Sequence, residues 1–499
     1  MSEKKNRKPG GETTEEAVSK KEHLDFFREK NVEPYAYSYG RTATTAELLK
    51  KYDGLKEGAE SEKEEKAAGR IMSKRGHGKT SFGHIKDSAG KIQFYARKDI
   101  LGEDEYNLFK KTDVGDIVGV EGPVFKTRTG ELTIKAKKIT LLTKSLMPMP
   151  EKYHGLKDRE LRYRNRHLDL IMNDDVRKNF EVRVKIIQEI RKFLDSRGFY
   201  EVETPMMHPI PGGAKAKPFS THHNALDMDL YMRIAPELYL KKLLVGGFEK
   251  VYEINRNFRN EGISIKHNPE FTMLEVYKAY ADYREMMDIA EKMIVSVSDS
   301  VYGSRVIKYQ GREIDLSPPW KKLPMKEAVK EYGGLDMDNT PEGEIKSRLT
   351  EKGIELRKGI TKGELTALAF EEFAEDKLIQ PVFITEFPVE VSPLSKVSRD
   401  NPKVAERFEP YIFGREIGNG FSELNDAEEQ EKRFRQQIET DTEGEVSKVL
   451  DESFVDALKA GMPPAGGLGV GIDRLVMFFT DAASIRDVIL FPLLRPETG

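Results

Sequence analysis

Apolar and polar residues alternate in a long stretch of the chain, from about residue 67 to residue 143. Short alternating runs cover residues 69–73, 81–86, 91–97, 117–126 and 131–140, and turn signals such as Ser88-Ala-Gly90 separate them. A helical pattern around residues 105–111 lies between the third run and the fourth. The sequence therefore predicts five β-strands with one helix between the third and the fourth.

Five strands and a helix in this order are typical of the oligonucleotide-binding barrel, the OB-fold, which we predict for residues 67–145. Residues 1–66 form an N-terminal extension that is rich in Lys and Glu and weakly patterned. Two helices are predicted in this extension, near residues 15–30 and 45–51. We expect the extension to be peripheral or partly disordered.

Helical spacing returns after a Pro-containing linker that we place at residues 146–172. Apolar residues recur at intervals of four from Val182 to Leu194, which predicts a helix over residues 174–197. Strand-like segments follow up to residue 280, and an amphipathic helix is predicted over residues 282–302. We expect residues 173–499 to form one large domain with a helical insertion at 323–377, in which we recognise no chemistry.

Composition excludes some classes of protein. The 499 residues include no cysteine, which excludes disulfides and thiolate metal sites. No apolar run approaches the roughly 18 residues that a membrane span needs, and the N-terminus has no apolar signal segment. We therefore expect a cytoplasmic protein that has no contact with a membrane.

Charge is informative only locally, because the formal net charge is −3. Arg70, Lys74, Arg75 and Lys79 cluster at the start of the predicted barrel. Such a run is usually solvated surface. Here it lies beside aromatic residues, which favours a face that binds nucleic acid.

Strand periodicity brings three different side chains together after residue 270. Alternate residues of a strand point to the same side of its sheet, so Phe271, Glu275 and Tyr277 share a face. Residues 251–259 are also strand-like, and the polar segment 260–268 can turn between the two strands. The sequence predicts a hairpin whose long loop carries Glu261 and His267.

A second alternating run places Asn419, Phe421 and Glu423 on one face of a strand. If this strand lies beside the hairpin, Glu275 and Glu423 converge with Tyr277 on one buried spot. Two buried carboxylates without a partner repel each other, and one of them is forced to protonate. A substrate ammonium group between them would remove that conflict.

Two arginines complete the candidate chemistry. Arg259 ends the first strand of the hairpin, and Arg474 follows the glycine-rich stretch Gly466-Gly-Leu-Gly469, which we expect to form a turn before a helix. A strand arginine taken alone is equally well explained by an ion pair, and core packing is the better explanation of Phe271 taken alone. Together the two arginines can clamp a polyphosphate, and the ring can stack on a purine. The combination indicates a nucleotide-activating site in which electrostatic positioning supplies most of the catalysis.

These stretches resemble the motifs of a known family. Arg259-Asn-Glu261 with His267-Asn-Pro-Glu-Phe271 resembles motif 2 of the class II aminoacyl-tRNA synthetases, and Gly469-Val-Gly-Ile-Asp-Arg474 resembles motif 3. Gly198-Phe-Tyr-Glu-Val-Glu-Thr-Pro205 is similar to motif 1. Within that class, Ile210-Pro-Gly-Gly-Ala214, Arg233-Ile-Ala-Pro-Glu237 and the segment from Arg415 to Glu423 resemble the lysyl-tRNA synthetases. The likeness extends from about residue 69 to residue 496.

The resemblance implies an ATP site. Arg259 and Arg474 are the catalytic residues that it implies: Arg259 bridges the amino-acid carboxylate and the α-phosphate, and Arg474 holds the γ-phosphate and covers one face of the adenine. The other ATP-binding residues that it implies are Glu261, His267, Asn268 and Phe271. ATP binds with Mg²⁺, for which Glu409 and Glu416 occupy the family's carboxylate positions. By themselves, two acids at this spacing are usually surface charge.

The resemblance also implies a lysine site. Glu275 and Glu423 bind the ε-amine, Tyr277 adds a hydrogen bond, and Phe421 packs on the methylene groups. The α-amine and carboxylate are bound by Gly213, Glu237, Arg259 and Asn419. The implied reaction joins L-lysine to ATP as lysyl-adenylate with release of pyrophosphate, and then moves lysine to the 3′-terminal adenosine of tRNA(Lys).

The predicted barrel supplies the tRNA anticodon contacts in this interpretation, because single-stranded bases are bound by stacking and by hydrogen bonds to their edges. Phe82 stacks on an anticodon base, and His84 joins the stack. Arg70, Gln93 and Glu131 make polar contacts, although ordinary barrel surface explains Glu131 equally well. The implied fold class is α+β, an OB barrel followed by a mainly antiparallel catalytic sheet flanked by helices, in a homodimer formed through motif 1.

Three other functions stay open. A relative that moves lysine onto a protein would keep the same chemistry, but the predicted barrel argues against it. An enzyme for aspartate or asparagine is disfavoured because Glu275 and Glu423 would repel an acidic side chain. A non-catalytic RNA-binding or regulatory protein would not need Arg259, Arg474 and the two metal-site carboxylates.

Overall fold

A computed structural model of the chain describes residues 15–150, 158–440 and 449–496. The molecule divides into two compact units, with the boundary between Leu156 and Lys157. Residues 1–14 of the predicted extension and 151–157 of the predicted linker lie outside the described residues. Among the described residues, no helix is both long and apolar enough to cross a membrane.

The first unit is a β-barrel with helices at its start and between its strands. Its elements are α1 (Glu15–Glu29), α2 (Thr45–Lys51), β1 (Glu60–His77), β2 (Thr80–Lys86), β3 (Lys91–Arg97), α3 (Lys98–Leu101), α4 (Glu103–Lys110), β4 (Ile117–Lys126), β5 (Leu132–Lys135) and β6 (Lys138–Thr143). The strand order is β1-β2-β3-β5-β4-β6, and pairing of β1 with β4 closes the barrel. The predicted strand over residues 131–140 is therefore two strands, β5 and β6.

The two N-terminal helices contribute to the core of this barrel. Phe27 of α1 and Leu48 of α2 are buried in the same cluster as Ile71, Phe94 and Val120. Apolar burial of this kind stabilises by roughly 1.5–3 kcal/mol for each large side chain. The helices of the extension are thus part of the first unit and are not peripheral to it.

The second unit is built on a large sheet flanked by helices. Its elements are α5 (Arg159–Arg164), α6 (Arg166–Met172), α7 (Asp174–Asp195), β7 (Tyr200–Glu201), β8 (Met207–His208), β9 (Ser220–His223), β10 (Met228–Met232), α8 (Glu237–Val245), β11 (Lys250–Phe258), β12 (Glu270–Ala279), α9 (Tyr283–Val301), β13 (Val306–Tyr309), β14 (Arg312–Asp315), β15 (Lys321–Pro324), α10 (Met325–Gly333), α11 (Glu342–Glu351), α12 (Lys362–Phe373), β16 (Val382–Thr385), β17 (Arg407–Tyr411), β18 (Gly418–Ser422), α13 (Ala427–Thr440), α14 (Glu452–Lys459), β19 (Ala465–Gly471) and α15 (Ile472–Phe479).

Eight strands form the main sheet in the order β15-β16-β17-β18-β19-β12-β11-β7. The pairs β15–β16 and β7–β11 are parallel, and the strands between them pair antiparallel. The predicted hairpin is β11–β12, with Glu253 opposite Glu275. The glycine-rich stretch forms the strand β19 rather than the expected turn, and α15 begins directly after it.

The two faces of the central strands have different roles. Leu274 and Val276 of β12 and Leu468 of β19 pack into a core with α7, α9 and α15. Alternation then directs the odd-numbered residues of β12, which include Glu275 and Tyr277, to the opposite face. That opposite face carries the cavity described next.

Candidate active site

A cavity of about 700 Å³ lies on this face of the sheet. Its walls are residues of β12, β17, β18 and β19, the β11–β12 loop, and α12. Every residue predicted to bind ATP, lysine or metal lines it: Gly213, Glu237, Arg259, Glu261, His267, Asn268, Phe271, Glu275, Tyr277, Glu409, Glu416, Asn419, Phe421, Glu423 and Arg474. Residues spread over some 260 positions of sequence thus share one cavity.

Arg259 lies where β11 ends and the loop begins. Its backbone N–H donates to the carbonyl of Pro269 at 2.9 Å, which closes the base of the loop. Its guanidinium carbon lies 5.1 Å from the ring centroid of Phe271. The buried Nε has no hydrogen-bond partner within the described part of the chain, and burial lowers the pKa of the guanidinium. A buried guanidinium group that lacks a hydrogen-bond partner favours the binding of an anionic ligand.

The β11–β12 loop presents three polar side chains to the cavity. Asn268 is buried and donates to the carbonyl of Glu270 at 2.6 Å, while its Oδ1 has no partner among the described residues. His267 lies 3.1 Å from the hydroxyl of Ser264, and burial followed by the charge of Arg474 lowers its pKa. Glu261 is exposed at the cavity mouth. The loop thus offers both hydrogen-bond donors and hydrogen-bond acceptors to a bound nucleotide.

Arg474 lies in the first turn of α15. Its guanidinium donates to the backbone carbonyl of Glu416 at 2.9 Å and to the Glu416 carboxylate at 3.1 Å. The preceding residue, Asp473, is buried, accepts from the backbone N–H of Thr272 at 2.7 Å and pairs with Arg183 at 2.5 Å. Asp473 therefore ties the start of α15 to β12 and α7, and it holds the helix that carries Arg474.

Glu275 and Tyr277 form one side of an acidic pocket. The Tyr277 hydroxyl donates to Oε2 of Glu275 at 2.8 Å, and both residues are buried. Burial raises the pKa of Glu275 to about 8, and the nearby charge of Glu237 acts in the same direction. Burial also raises the pKa of Tyr277 well above its usual value. A cation bound here would be favoured because it stabilises the ionised carboxylate.

Glu237 and Glu423 form the rest of that pocket, behind which lies a buried lysine. Lys241, one turn after Glu237 in α8, pairs with Glu237 at 2.6 Å and with Oε2 of Glu423 at 2.5 Å. Lys241 was not predicted as a site residue, because a lysine four residues after a glutamate in a helix is usually part of a surface ion pair. Gly213, which lies against Glu237, has φ +86°, a backbone conformation that favours glycine.

We expected the strand with Phe421 and Glu423 to lie directly beside the hairpin. In the structure β18, which contains Phe421 and is followed by Glu423, is separated from the hairpin by another strand. β19 lies between β18 and β12, and Gly467 is paired with Tyr277 on one side and Phe421 on the other. A Cβ at Gly467 would lie 1.9 Å from Oε1 of Glu423 and 2.8 Å from the ring of Tyr277. The expected convergence of side chains thus occurs across a glycine in the intervening strand.

The carboxylates expected to bind metal are Glu409, in the middle of β17, and Glu416, between β17 and β18. Glu409 is buried, pairs with Arg407 at 2.6 Å and accepts from the Tyr411 hydroxyl at 2.8 Å. Burial raises its pKa to about 7, and the charge of Glu416 adds to the rise. Arg407 also donates to Asn419 at 2.9 Å, which connects Glu409 to the lysine-site residue of β18.

Two further carboxylates come from the helical insertion, where the sequence analysis recognised no chemistry. Glu371 of α12 and Glu375, just after it, line the cavity. Burial raises the pKa of both, to about 7 for Glu375, and the charge of Glu416 contributes to each rise. The insertion thus supplies an acidic part of the cavity wall. Its local sequence, an ordinary amphipathic helix, contains no signal of this.

A second polar face lies on the barrel of the first unit. Phe82 is 40% exposed, and its ring lies 4.5 Å from that of Tyr95, which is opposite it on β3. Glu131 accepts from Gln93 at 2.8 Å and lies 2.8 Å from Nε2 of His84. His84 is therefore part of a hydrogen-bonded group with Gln93 and Glu131, and its stacking on a base stays a prediction.

The basic residues of β1 differ in how they are placed on this face. Arg75 is exposed and lies directly across from Phe82 in the β1–β2 ladder, so the two side chains share a face. Arg70 lies opposite Lys86, and its guanidinium donates to the carbonyl of Gly115 at 2.7 Å. The structure thus adds Arg75 as an exposed cation next to the ring, and the polar contact of Arg70 with the anticodon stays a prediction.

Comparison with known families agrees with this architecture. Residues 158–495 match the family model of tRNA synthetases class II (D, K and N). Residues 66–142 match the OB-fold nucleic acid binding domain. The predicted fold class is confirmed: an OB barrel followed by a class II synthetase domain, with α-helices flanking a mainly antiparallel sheet.

Curated relatives similar to this chain bear the name lysine–tRNA ligase. The protein of Carboxydothermus hydrogenoformans is 56% identical over 478 residues, which are 95% of this chain and 97% of the relative. That of Pelotomaculum thermopropionicum is 54% identical over 482 residues, 96% of this chain and 94% of the relative. That of Bacillus cereus is 50% identical over 488 residues, 97% and 98% of the two chains. With its fold, its cavity and this similarity, the chain belongs to the class II tRNA synthetases of the D, K and N group.

Proposed function

We propose that this protein is a lysine–tRNA ligase, which activates L-lysine with ATP and transfers it to tRNA(Lys). The observation that carries the proposal is the pair of buried carboxylates Glu275 and Glu423, which lie close enough to influence each other and line a cavity that Arg259 and Arg474 also line. A site that combines buried carboxylates with guanidinium groups fits a long cationic side chain and a polyphosphate. Relatives named lysine–tRNA ligase support the same conclusion.

The first step joins the lysine carboxylate to the α-phosphorus of ATP and releases pyrophosphate. Arg259, whose Nε has no partner among the described residues, is placed to neutralise the carboxylate and the α-phosphate as they approach. Arg474 binds the γ-phosphate and covers one adenine face, and Phe271 covers the other. Positioning and charge stabilisation of this kind account for catalysis without a nucleophilic side chain.

Selectivity for lysine follows from burial. Glu275 and Glu423 bind the ε-ammonium, Tyr277 adds a hydrogen bond, and Phe421 packs on the methylene groups. A buried charge without its partner costs about 3–5 kcal/mol. A site built to hydrogen-bond its substrate can reject an analogue that lacks the group by roughly 10⁴- to 10⁵-fold. Neutral amino acids of similar length are therefore excluded without an editing reaction.

Mg²⁺ would be held by Glu409 and Glu416. Within the described residues no group of three or more His, Asp or Glu side chains is arranged to hold a metal. Two carboxylates nevertheless fit Mg²⁺, which typically takes one or two protein carboxylates and completes its shell with phosphate oxygens and water. When bound, the ion neutralises phosphate charge. Glu416, which accepts from Arg474 in this structure, would hold the ion with Glu409, and Arg474 would then be available to phosphate.

The barrel face would select the tRNA. Phe82 offers an exposed ring for an anticodon base, and Gln93 and Glu131 offer donors and acceptors to base edges. Arg75 and Arg70 add positive charge for the backbone. In the second step the hydroxyl of the 3′-terminal adenosine attacks the carbonyl carbon of lysyl-adenylate, and AMP leaves.

We also propose a cytoplasmic homodimer. Tyr200, Met206 and Met207 are exposed large apolar residues around Pro205, in the segment that resembles motif 1. An apolar patch of this kind favours a two-fold contact. Sedimentation at several concentrations tests it, and Met207→Glu should shift the protein towards the monomer.

Pyrophosphate exchange into ATP with a panel of amino acids tests the function. We expect exchange with lysine only, and Glu423→Gln should raise the KM for lysine far more than that for ATP. Exchange with aspartate or asparagine would identify a sister enzyme, and no exchange by folded protein would identify a non-catalytic one. Lysine exchange without charging of purified tRNA would favour transfer to a protein.

A further inference from the structure

Three carboxylates and one buried ammonium group form a charge cluster at the closed end of the cavity. Glu237, Glu275 and Glu423 line the cavity, whereas Lys241 lies behind them, with no exposed surface. Its Nζ lies 2.6 Å from Oε1 of Glu237 and 2.5 Å from Oε2 of Glu423. Lys241 thus connects the carboxylate expected at the α-amine with one expected at the ε-amine.

The surroundings of Lys241 are otherwise apolar. The rings of Phe421 and Phe454 lie 5.4 Å and 6.0 Å from its Nζ. Fully buried lysines are rare unless they are paired. Burial opposes the charged form of Lys241, but Glu237 and Glu423 outweigh burial, so that its pKa is raised and the ammonium form persists. The cluster therefore contains a fixed positive charge.

The charge balance of the cluster matches one kind of substrate. Once substrate binding has displaced any proton, the three ionised carboxylates and the one ammonium group sum to two negative charges. Free lysine brings two ammonium groups to this end of the cavity. Without Lys241 a third negative charge would remain, and buried carboxylates this close cannot all ionise, so that one would take up a proton instead of binding substrate.

We propose that Lys241 is a positioning residue for lysine recognition: its ammonium group holds Glu237 and Glu423 in place and offsets part of their negative charge, so that the two carboxylates can receive the two ammonium groups of the substrate. This inference rests on the proposed function and adds to it a residue outside the cavity wall. The groups that face the cluster are Glu237 and Lys241 on α8, Glu275 and Tyr277 on β12, and Glu423 after β18, with Arg233 and Glu253 beyond Glu275.

Lys241→Met tests the proposal in pyrophosphate exchange with the full chain. We expect the KM for lysine at pH 7 to rise at least about tenfold, while the KM for ATP stays within about twofold. Loss of a neighbouring opposite charge raises a carboxyl pKa by about one to three units. The pH below which lysine binding weakens should therefore move upward by about one unit, which damage to packing alone would not cause.

Lys242→Met is the matched control, because Lys242 is the next residue of α8 and contacts Ser453 outside the cavity. It should leave both KM values and the pH midpoint unchanged. Lys241→Arg keeps the charge and should keep the wild-type midpoint, even if its larger group raises KM. It also provides the test if Lys241→Met does not fold: a shifted midpoint in Lys241→Arg overturns the proposal.

Each remaining outcome decides one question. If folded Lys241→Met keeps the wild-type KM for lysine and the wild-type pH midpoint of lysine binding, the role of Lys241 is overturned. An equal loss of affinity for ATP and lysine would also overturn it, because such a loss indicates general damage to the site. Wild-type protein without lysine-dependent exchange would instead overturn the proposed function. The two failures are thus distinguishable.

Discussion

Gly467 faces Glu423 so closely that a methyl group at that position would lie 1.9 Å from the carboxylate. The glycine is therefore required by side-chain contact and not by its backbone conformation. Glu423, the residue directly after β18, reaches the pocket past a strand that has no side chain at this position.

Gly467→Ala should therefore damage lysine binding selectively. Forcing a methyl group into a packed site costs about 1–3 kcal/mol, which corresponds to a loss of roughly 5- to 150-fold in affinity. We expect kcat/KM for lysine in pyrophosphate exchange to fall by that factor. Gly469→Ala is the matched control two residues away, because a Cβ there would first meet the flexible methyl group of Met273 at 3.2 Å. Equal losses in both variants would contradict the role of Gly467.

Lysine affinity should rise with pH. Burial raises the pKa of Glu275 to about 8, so that this carboxyl is largely protonated at neutral pH. The substrate ammonium binds the ionised form, and binding therefore releases a proton. The KM for lysine should fall by up to about tenfold per pH unit below pH 8 and level off above it. Glu275→Gln should weaken binding and flatten this slope. A KM that is constant between pH 6 and 8 would contradict the assignment.

Asp473→Ala should destabilise the second unit. The carboxylate is buried between Arg183 and the backbone N–H of Thr272, and its loss leaves the N–H without its acceptor and the Arg183 guanidinium without its counter-charge. Breaking a buried pair costs about 3–5 kcal/mol in the free energy of unfolding. Urea denaturation measures the loss. Asp175→Asn serves as the control, since Asp175 pairs with Lys178 on the surface and should change stability by less than about 0.5 kcal/mol.

Phe82→Ala should affect tRNA without affecting activation. Stacking of a base on an aromatic ring contributes about 1–3 kcal/mol, so the KM for tRNA should rise roughly 5- to 150-fold. Pyrophosphate exchange in the absence of tRNA should be unchanged. Tyr37, a fully exposed ring of the same unit outside β1–β3, provides the control substitution to Ala. Similar effects of both substitutions on charging would argue against a specific role for Phe82.

Local periodicity predicts much of this molecule. The alternation from Phe271 to Tyr277 places the right side chains on one face, and the fourfold spacing from Val182 to Leu194 predicts α7 closely. These patterns succeed because each element buries one face, and burial determines the spacing of apolar residues. The short alternating runs predict the barrel for the same reason.

The order of the strands and the contacts between residues distant in sequence could not be predicted in this way. The order of strands in the sheet is not a local property, so the position of β19 between β18 and β12 could not be derived from the alternation in either neighbour. Lys241 and Glu375 become chemically relevant only through residues far away in sequence. Their own surroundings in the chain are those of ordinary charged helical residues.

The acidic wall formed by Glu371 and Glu375 has a consequence for inhibitor design. Both carboxylates line the cavity near Glu416; Glu375 is partly buried, whereas Glu371 is exposed. A lysyl-adenylate mimic that carries an added amine towards α12 would gain a second ion pair there, and the partly buried Glu375 would be the stronger partner because water screens its charge less. The insertion, rather than the synthetase motifs, would then supply the additional affinity of such a compound.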